Sequence, residues 1–169
     1  MNIKALDAKK RLEFDAILYF IRDQRKNHRR WLIFHEFSEP PNPDIYCLLN
    51  GERVGIEVTH LCGHNHDAKK ASGRWSPGEE REEIPPSEKP AAVPLTRLPL
   101  ELNRLLDYKA RHHYGRNTWL VIRNTDPFWQ KSDFELCRPD IIIPRRHAFE
   151  EIWLLCDPHG TSGTLRLFP

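Results

Sequence analysis

Apolar residues recur at helical spacing near the start of the chain, and charged residues occupy the positions between them. The apolar positions include Leu12, Ala16, Tyr19 and Phe20. Because a helix turns once every 3.6 residues, these positions form one apolar face. The pattern predicts a first helix from Asp7 to Arg25, with Asp7 as its N-cap.

Three strands are predicted after this helix. Residues 31–37 read WLIFHEF, a run rich in residues that favour strands. Residues 44–49 (DIYCLL) and 54–61 (VGIEVTHL) flank Asn50-Gly51, a dipeptide typical of a two-residue hairpin turn. We therefore expect an antiparallel pair of strands that turns at Asn50-Gly51.

The second half of the chain alternates irregular and regular patterns. Residues 63–99 hold six prolines and the charge run EEREE, and they predict a long excursion or mobile loop. Helical periodicity resumes at Leu100 and should stop at Gly115, which is a favourable residue after a helix end. Further strands are predicted at residues 118–124, 149–157 and 164–169, with an irregular segment between the first two of them.

This order of elements predicts an α/β fold with a mixed central sheet. A helix between the strands at 54–61 and 118–124 implies that these strands pair in parallel through a right-handed crossover. The length of 169 residues suits one domain with one sizeable core, so we expect a single domain over residues 1–169.

Composition narrows the class of protein. Apolar residues make up 39%, charged residues 30%, and the net charge of +2 permits a polyanionic partner without requiring one. No stretch is long and apolar enough to span a membrane, and the N-terminus lacks an apolar signal core, so we expect a cytoplasmic protein. The four scattered cysteines, without a CxxC pair, should be reduced thiols.

Two carboxylates flank the predicted hairpin. Asp44 follows Pro43 at the start of one strand, and Glu57 shares a strand face with Thr59 on the next. The hairpin should bring Asp44 and Glu57 onto adjacent strands within several ångströms. Such carboxylates raise each other's pKa unless a cation lies between them, so this pair predicts a site for Mg²⁺ or Mn²⁺.

These residues resemble a known signature. Pro43-Asp44, a hairpin and then Ile56-Glu57-Val58-Thr59 are similar to the Pro-Asp…(Asp/Glu)-x-Lys motif of the restriction-endonuclease-like, or PD-(D/E)xK, nuclease superfamily. The order of one helix, three strands, one helix and one strand over residues 7–157 also matches. The resemblance implies Mg²⁺-dependent endonuclease hydrolysis of phosphodiester bonds in DNA. Asp44 and Glu57 would be metal ligands, and the backbone of residues 57–59 would supply another ligand. Glu13 on the first helix resembles an extra acid of this superfamily and would join the metal shell.

One position departs from the motif. Thr59 stands where the superfamily has lysine, and a neutral hydroxyl cannot orient an attacking water with positive charge. Lys109 is the best substitute, because it shares a helix face with Leu102, Leu105 and Leu106 and its long stem can reach toward the acids. Lys69, Lys70 and Arg74 in the excursion are weaker substitutes. The candidate site residues are therefore Asp44, Glu57, Lys109, Glu13 and Thr59, of which Asp44, Glu57 and Glu13 are candidate metal ligands.

Three alternatives stay open. The same fold can have lost catalysis, because of Thr59, and serve as a module that binds nucleic acid or a protein partner. The histidine-rich stretch offers His60, Cys62, His64 and His66 as zinc ligands. The basic stretch 25–30 can meet phosphates or form an ordinary solvated surface.

A homodimer is compatible with the sequence, and a partner-dependent effector from a bacterial or mobile-element setting suits its small size.

Overall fold

The computed structural model describes residues 7–62 and 95–169. Helix α1 spans Ala8–Asn27, and strands β1 (Leu32–Phe37), β2 (Ile45–Leu49) and β3 (Glu52–Leu61) follow it. Helix α2 (Arg97–Ala110) precedes strand β4 (Thr118–Asn124), short helix α3 (Lys131–Leu136) and one 3₁₀ turn (Arg138–Asp140). Strands β5 (Phe149–Leu155) and β6 (Thr164–Phe168) complete the described part of the chain. Most of the predicted excursion, residues 63–94, lies outside the described residues.

The described strands form one mixed sheet in the order β1-β2-β3-β4-β5-β6. Strand β2 pairs antiparallel with β1 and with β3, β4 pairs parallel with β3 and with β5, and β6 returns antiparallel to β5. The α/β class, the mixed sheet and the parallel pairing of β3 with β4 across α2 are confirmed. The parallel pairing of β4 with β5 was not predicted.

The hairpin at Asn50-Gly51 is confirmed. Asn50 has φ 53° and Gly51 has φ 86°, the positive values that a two-residue turn between twisted strands requires. The resulting register pairs Ile45 with Ile56. Asp44, one residue before Ile45, therefore lies opposite Glu57, one residue after Ile56.

The sheet is covered on both faces. Helix α1 packs Ile17 and Phe20 on one face, against Ile56, Val58 and both Trp119 and Trp153. Helix α2 packs on the other face through leucines that meet strand residues, and this cluster includes Leu98, Leu102, Leu106, Leu120, Ile122 and Leu154. Because alternate residues of a strand point to opposite faces, Glu57 lies on the α2 face between Ile56 and Val58. Strand β4 is buried along its whole length because it has a helix on each face.

Some predicted boundaries are wrong. Helix α2 runs from Arg97 to Ala110 instead of from Leu100 to Gly115, because Leu98 already packs in the core and the Arg111 N–H closes the last turn. The segment between β4 and β5 is not wholly irregular, since it contains α3, whose capping box joins Gln130 and Asp133. A helix of six residues is too short to show periodicity in the sequence.

Several other local predictions are confirmed. The Asp7 side chain accepts a hydrogen bond from Lys10 N at 2.8 Å and caps α1. The four cysteines, all of which lie within the described residues, are reduced thiols. Over the described ranges, every helix is too short or too polar to cross a bilayer.

Candidate metal centre

Asp44 is held at the start of β2 by contacts on both sides. Its Oδ2 accepts a hydrogen bond from Val58 N on β3 at 2.9 Å, and its carbonyl accepts one from Ser38 N at 2.9 Å. The ring of Pro43 packs against Gly55, where an added Cβ would lie 2.6 Å from Pro43 Cγ. These contacts fix the Asp44 carboxylate against β3, and its side chain is 15% exposed.

Glu57 is a buried carboxylate with a cationic partner. Lys109 Nζ on α2 donates to Glu57 Oε1 at 2.6 Å, and the Tyr114 hydroxyl also hydrogen-bonds this carboxylate. Burial raises the pKa of Glu57, and the negative charge of Asp44 raises it further, while Lys109 and Tyr114 oppose the shift. Asp44 is therefore close enough to oppose the ionisation of Glu57.

Helix α1 contributes a third carboxylate. Glu13 is 5% exposed, and Lys9 Nζ lies 3.0 Å from Glu13 Oε1 and 3.7 Å from Asp44 Oδ1. Burial is the main reason why the pKa of Glu13 is raised to about 7, and the charges of Asp44 and Glu57 add to it while Lys9 opposes it. Three acids from α1, the start of β2 and β3 thus share one electrostatic environment.

A cavity of about 300 Å³ adjoins these groups. Lys9 and Lys109 line it together with Asp44 and Glu57, so charges of both signs face the same space. Other lining residues come from the loop before β2 and from the end of α2 and the segment after it: Pro40, Pro41, Asn42, Tyr108, His112, His113 and Tyr114. The cavity is large enough to admit a phosphate group, and its lining mixes charged side chains with proline and tyrosine rings.

The motif position occupied by Thr59 is close in sequence to this centre but does not line its cavity. Thr59 is half-buried on the same face of β3 as Glu57. Among the described lining residues, the positive charge nearest Glu57 comes from Lys109 on α2. The structure therefore brings Asp44, Glu57 and Lys109 together at the cavity and links Glu13 to Asp44 through Lys9. Neither Glu13 nor Thr59 is among the described residues that line the cavity.

The histidine-rich stretch is only partly described. His60 pairs in register with Arg123, and burial together with the positive charges of Arg123, Lys109 and Lys9 lowers the pKa of His60 to about 4. Cys62 Sγ lies 3.0 Å from Thr125 Oγ1. His64, His66, Lys69, Lys70 and Arg74 lie outside the described residues. Within residues 7–62 and 95–169, no three His, Cys, Asp or Glu side chains converge as a ligand set for a metal ion.

Sequence reasoning missed Lys9 and Tyr114. Lys9 lies four residues before Glu13 on α1, so the charge pair was visible as an i, i+4 spacing. Tyr114 had no local signal, because it reaches Glu57 only through the packing of its ring on Phe149, with centroids 5.1 Å apart. Burial and the charge of Glu57 raise the pKa of Tyr114, so its hydroxyl stays protonated and donates to Glu57.

The donor chemistry fits a hard divalent cation. Mg²⁺ is usually bound through one or two carboxylates and keeps several waters, so it does not need three protein side chains. Asp44 and Glu57 supply two carboxylates whose mutual repulsion a divalent cation would relieve, and Glu13 lies beside them. The residues present therefore fit Mg²⁺ or Mn²⁺, with Asp44 and Glu57 as the ligands that would bind it.

Comparison with known proteins gives no further information about this site. Comparison with models of protein families, with curated proteins and with solved structures finds no match to this chain. A function for this chain is therefore inferred from the contacts, charges and burial described above.

Proposed function

We propose that this chain is a metal-dependent endonuclease that hydrolyses phosphodiester bonds in DNA and has a restriction-endonuclease-like core. The observation that carries the proposal is the contact of Lys109 Nζ with Glu57 at 2.6 Å, beside an Asp44 that is charge-coupled to the same glutamate. Two acids and a lysine are the groups of the resembled motif. Here the lysine comes from a helix, because Thr59 occupies its usual strand position.

Each side chain has a separate role in this proposal. Asp44 and Glu57 would hold Mg²⁺ or Mn²⁺, with a backbone carbonyl of residues 57–59 as a further ligand. The bound cation supplies Lewis acidity and lowers the pKa of an attacking water. Lys109 orients that water or the scissile phosphate through its positive charge. Glu13 is adjacent to the acids and completes the shell of negative charge, while Lys9 balances it.

The order of elements supports the same proposal. Helix α1, strands β1 to β3, helix α2 and strand β4 follow one another as in the resembled superfamily, and β3 pairs with β4 in parallel. Asp44 directly precedes the second strand of that series, Glu57 lies on the third, and the lysine lies on its second helix. A cytoplasmic location and a DNA partner are further parts of this proposal.

Plasmid nicking tests the proposal directly. We expect Asp44→Asn and Glu57→Gln each to abolish Mg²⁺-dependent nicking, because each removes one of the two charges that would hold the ion. Glu150→Gln is the matched control, since Glu150 is an exposed carboxylate on β5 outside the cavity. Undiminished nicking by both site variants would rule out this mechanism.

A second candidate function has its own supporting observation. Lys9 pairs with Glu13 and Lys109 pairs with Glu57, so the acids have cationic partners within the protein, and Thr59 adds no positive charge. The same arrangement suits a catalytically inactive module that binds nucleic acid or a protein partner. Calorimetry separates the two functions: absence of Mg²⁺ and Mn²⁺ binding, together with retained DNA binding in a gel shift, would favour the module.

A further inference from the structure

A second cavity, of about 630 Å³, lies on the far half of α1. It is bounded by α1, by the loop between β5 and β6, and by Lys131 at the start of α3. Positive charges of Arg22, Lys26 and Lys131 face it, and so do the hydroxyl-bearing Thr161 and Ser162. None of the described residues lines both this cavity and the one at the candidate metal centre.

The loop at this cavity is held by a network of hydrogen bonds. The Asp157 carboxylate accepts hydrogen bonds from the backbone of His159 at 2.8 Å, of Thr161 at 3.1 Å and of Ser162. Arg22 Nη2 donates to the carbonyls of His159 at 3.2 Å and Gly160 at 3.3 Å, which ties the loop to α1. The loop hydroxyls therefore have a defined position beside the lysines.

The carboxylates near this cavity already have partners, and the Asp157 carboxylate accepts the hydrogen bonds of the loop described above. Asp23 is the carboxylate among the described lining residues, and it is 5% exposed. Its oxygens accept hydrogen bonds from Thr164 Oγ1 at 2.5 Å and Asn27 Nδ2 at 2.6 Å, so it is turned toward the protein. Over residues 7–62 and 95–169, no ion pair involves Arg22, Lys26 or Lys131.

We infer that this second cavity binds phosphate groups of a nucleic-acid backbone, away from the phosphodiester that would be cleaved. Lysine, arginine and hydroxyl side chains are the usual donors to backbone phosphates. The described lining contains no Phe, Tyr or Trp that would stack on a base, and Arg22 and Lys26 are exposed, as an extended polyanion requires. That the bound polyanion is a nucleic acid rests on the proposed nuclease function.

The candidate metal centre and the second cavity lie at different positions along α1. Glu13 and Arg22 are nine positions apart, which corresponds to about 14 Å at a helical rise of 1.5 Å per residue. One phosphate group cannot contact both places. The second cavity would therefore add affinity and position the polymer without taking part in the chemistry.

Binding of a labelled DNA duplex, measured by fluorescence anisotropy in EDTA over a range of salt concentrations, tests this inference. The variant Lys26→Gln/Lys131→Gln removes two charges that have no ion pair within the described residues and leaves the bonds of Arg22 to the loop in place. We expect the affinity for DNA to be about tenfold lower at moderate salt. We also expect the slope of log affinity against log salt concentration to fall in magnitude by about 2. Arg145→Gln/Arg146→Gln, which removes two exposed charges outside both cavities, is the matched control.

The outcomes separate this inference from the nuclease proposal. Loss of affinity in the lysine variant and not in the control supports the second site, even if the wild-type protein does not nick DNA. Equal affinities and slopes for the lysine variant and the control would overturn it, even if wild-type nicking depends on Asp44 and Glu57. Release of the duplex by stoichiometric adenosine monophosphate would also overturn it, because the cavity would then be a mononucleotide site. Circular dichroism melting of both variants checks that each is folded.

Discussion

At the scale of single residues, Lys109 is the cation in direct contact with Glu57 at the candidate centre. Its ammonium group lies 2.6 Å from Glu57 Oε1, and the two side chains are 14% and 9% exposed. A carboxylate buried this deeply is costly unless a cation or hydrogen-bond donors compensate it. Lys109 and Tyr114 provide that compensation from the same side of the sheet, so the Glu57 charge depends on residues more than 50 positions away.

The position of Lys109 predicts that its loss impairs nicking and that a lysine at position 59 compensates for it. We expect Lys109→Met to lower the nicking rate by about 100-fold or more, because a preorganised positive charge is lost from the site. Adding Thr59→Lys to this variant should restore part of the rate, since residue 59 shares the strand face of Glu57 and is the motif position. Nicking rates under single-turnover conditions measure both effects.

Arg104→Met is the control for this pair, because Arg104 lies on the same helix with an exposed side chain and should leave the rate unchanged. Wild-type nicking by Lys109→Met would show that this lysine does not act in the chemistry. A double variant no faster than Lys109→Met would contradict the equivalence of positions 59 and 109.

At the scale of elements, the β2–β3 hairpin determines where Asp44 lies relative to Glu57. The turn at Asn50-Gly51 sets the register, and Gly55 lets the segment before β2 approach β3 closely. A Cβ at position 55 would lie 2.6 Å from Pro43 Cγ and 3.2 Å from Thr118 Oγ1. The proline ring is rigid and precedes Asp44 directly, so any shift of Pro43 also moves the carboxylate.

This close approach gives a prediction for Gly55→Ala. We expect the variant to lose about 1–3 kcal/mol of unfolding free energy through overpacking, and to bind Mg²⁺ more weakly because Asp44 is displaced. Urea denaturation and isothermal calorimetry measure the two effects. Gly115→Ala is the matched control, since no atom outside its immediate chain neighbours lies within 4 Å of the added Cβ. Metal affinity equal to that of the control would show that Pro43 does not position Asp44.

At the scale of the whole molecule, α1, α2 and the sheet meet at the candidate centre. The β5–β6 loop joins the C-terminal half of α1 to the sheet. Asp157 organises that loop through backbone N–H donors, and Arg22 joins it to α1. Although burial acts in the opposite direction, the backbone hydrogen bonds from Ser162, Thr161 and His159 lower the pKa of Asp157 to about 2. Ionised Asp157 therefore contributes to the stability of the folded molecule.

The pH dependence of unfolding follows from this shift. The folded pKa lies below the ordinary value of 3.8, so the unfolded chain takes up the proton first as the pH falls. The contribution of Asp157 is complete above about pH 4 and is lost as the pH falls toward 2. We expect the difference in unfolding free energy between the wild type and Asp157→Asn to shrink over this window, as measured by thermal melting at a series of pH values. A constant difference across the window would contradict the role assigned to the carboxylate.

The parts of the fold that were predicted correctly are those that depend on local pattern. Helix α1 and its Asp7 cap, the hairpin, and the strands at β4, β5 and β6 each have a periodicity or a turn residue within a short window. Helix α3 was missed because six residues do not establish a period. The end of α2 was misplaced because Gly115 looked like a cap, whereas tertiary contacts of Tyr114 with Phe149 and Glu57 require the chain to leave the helix earlier.

The sequence by itself determined the order of the strands and of helices α1 and α2, and the turn between β2 and β3. It also determined the choice of Asp44, Glu57, Glu13 and Lys109 as candidates, because each depends on residue type and spacing. Only the tertiary structure decided that Lys9 and Tyr114 join them, that Thr59 lies outside their cavity, and that Arg22, Lys26 and Lys131 face a second one. The physical reason is that burial and Coulomb interactions depend on distance in space. Glu13 on α1 and Glu57 on β3 acquire their raised pKa values only when the folded chain removes them from water and places them side by side.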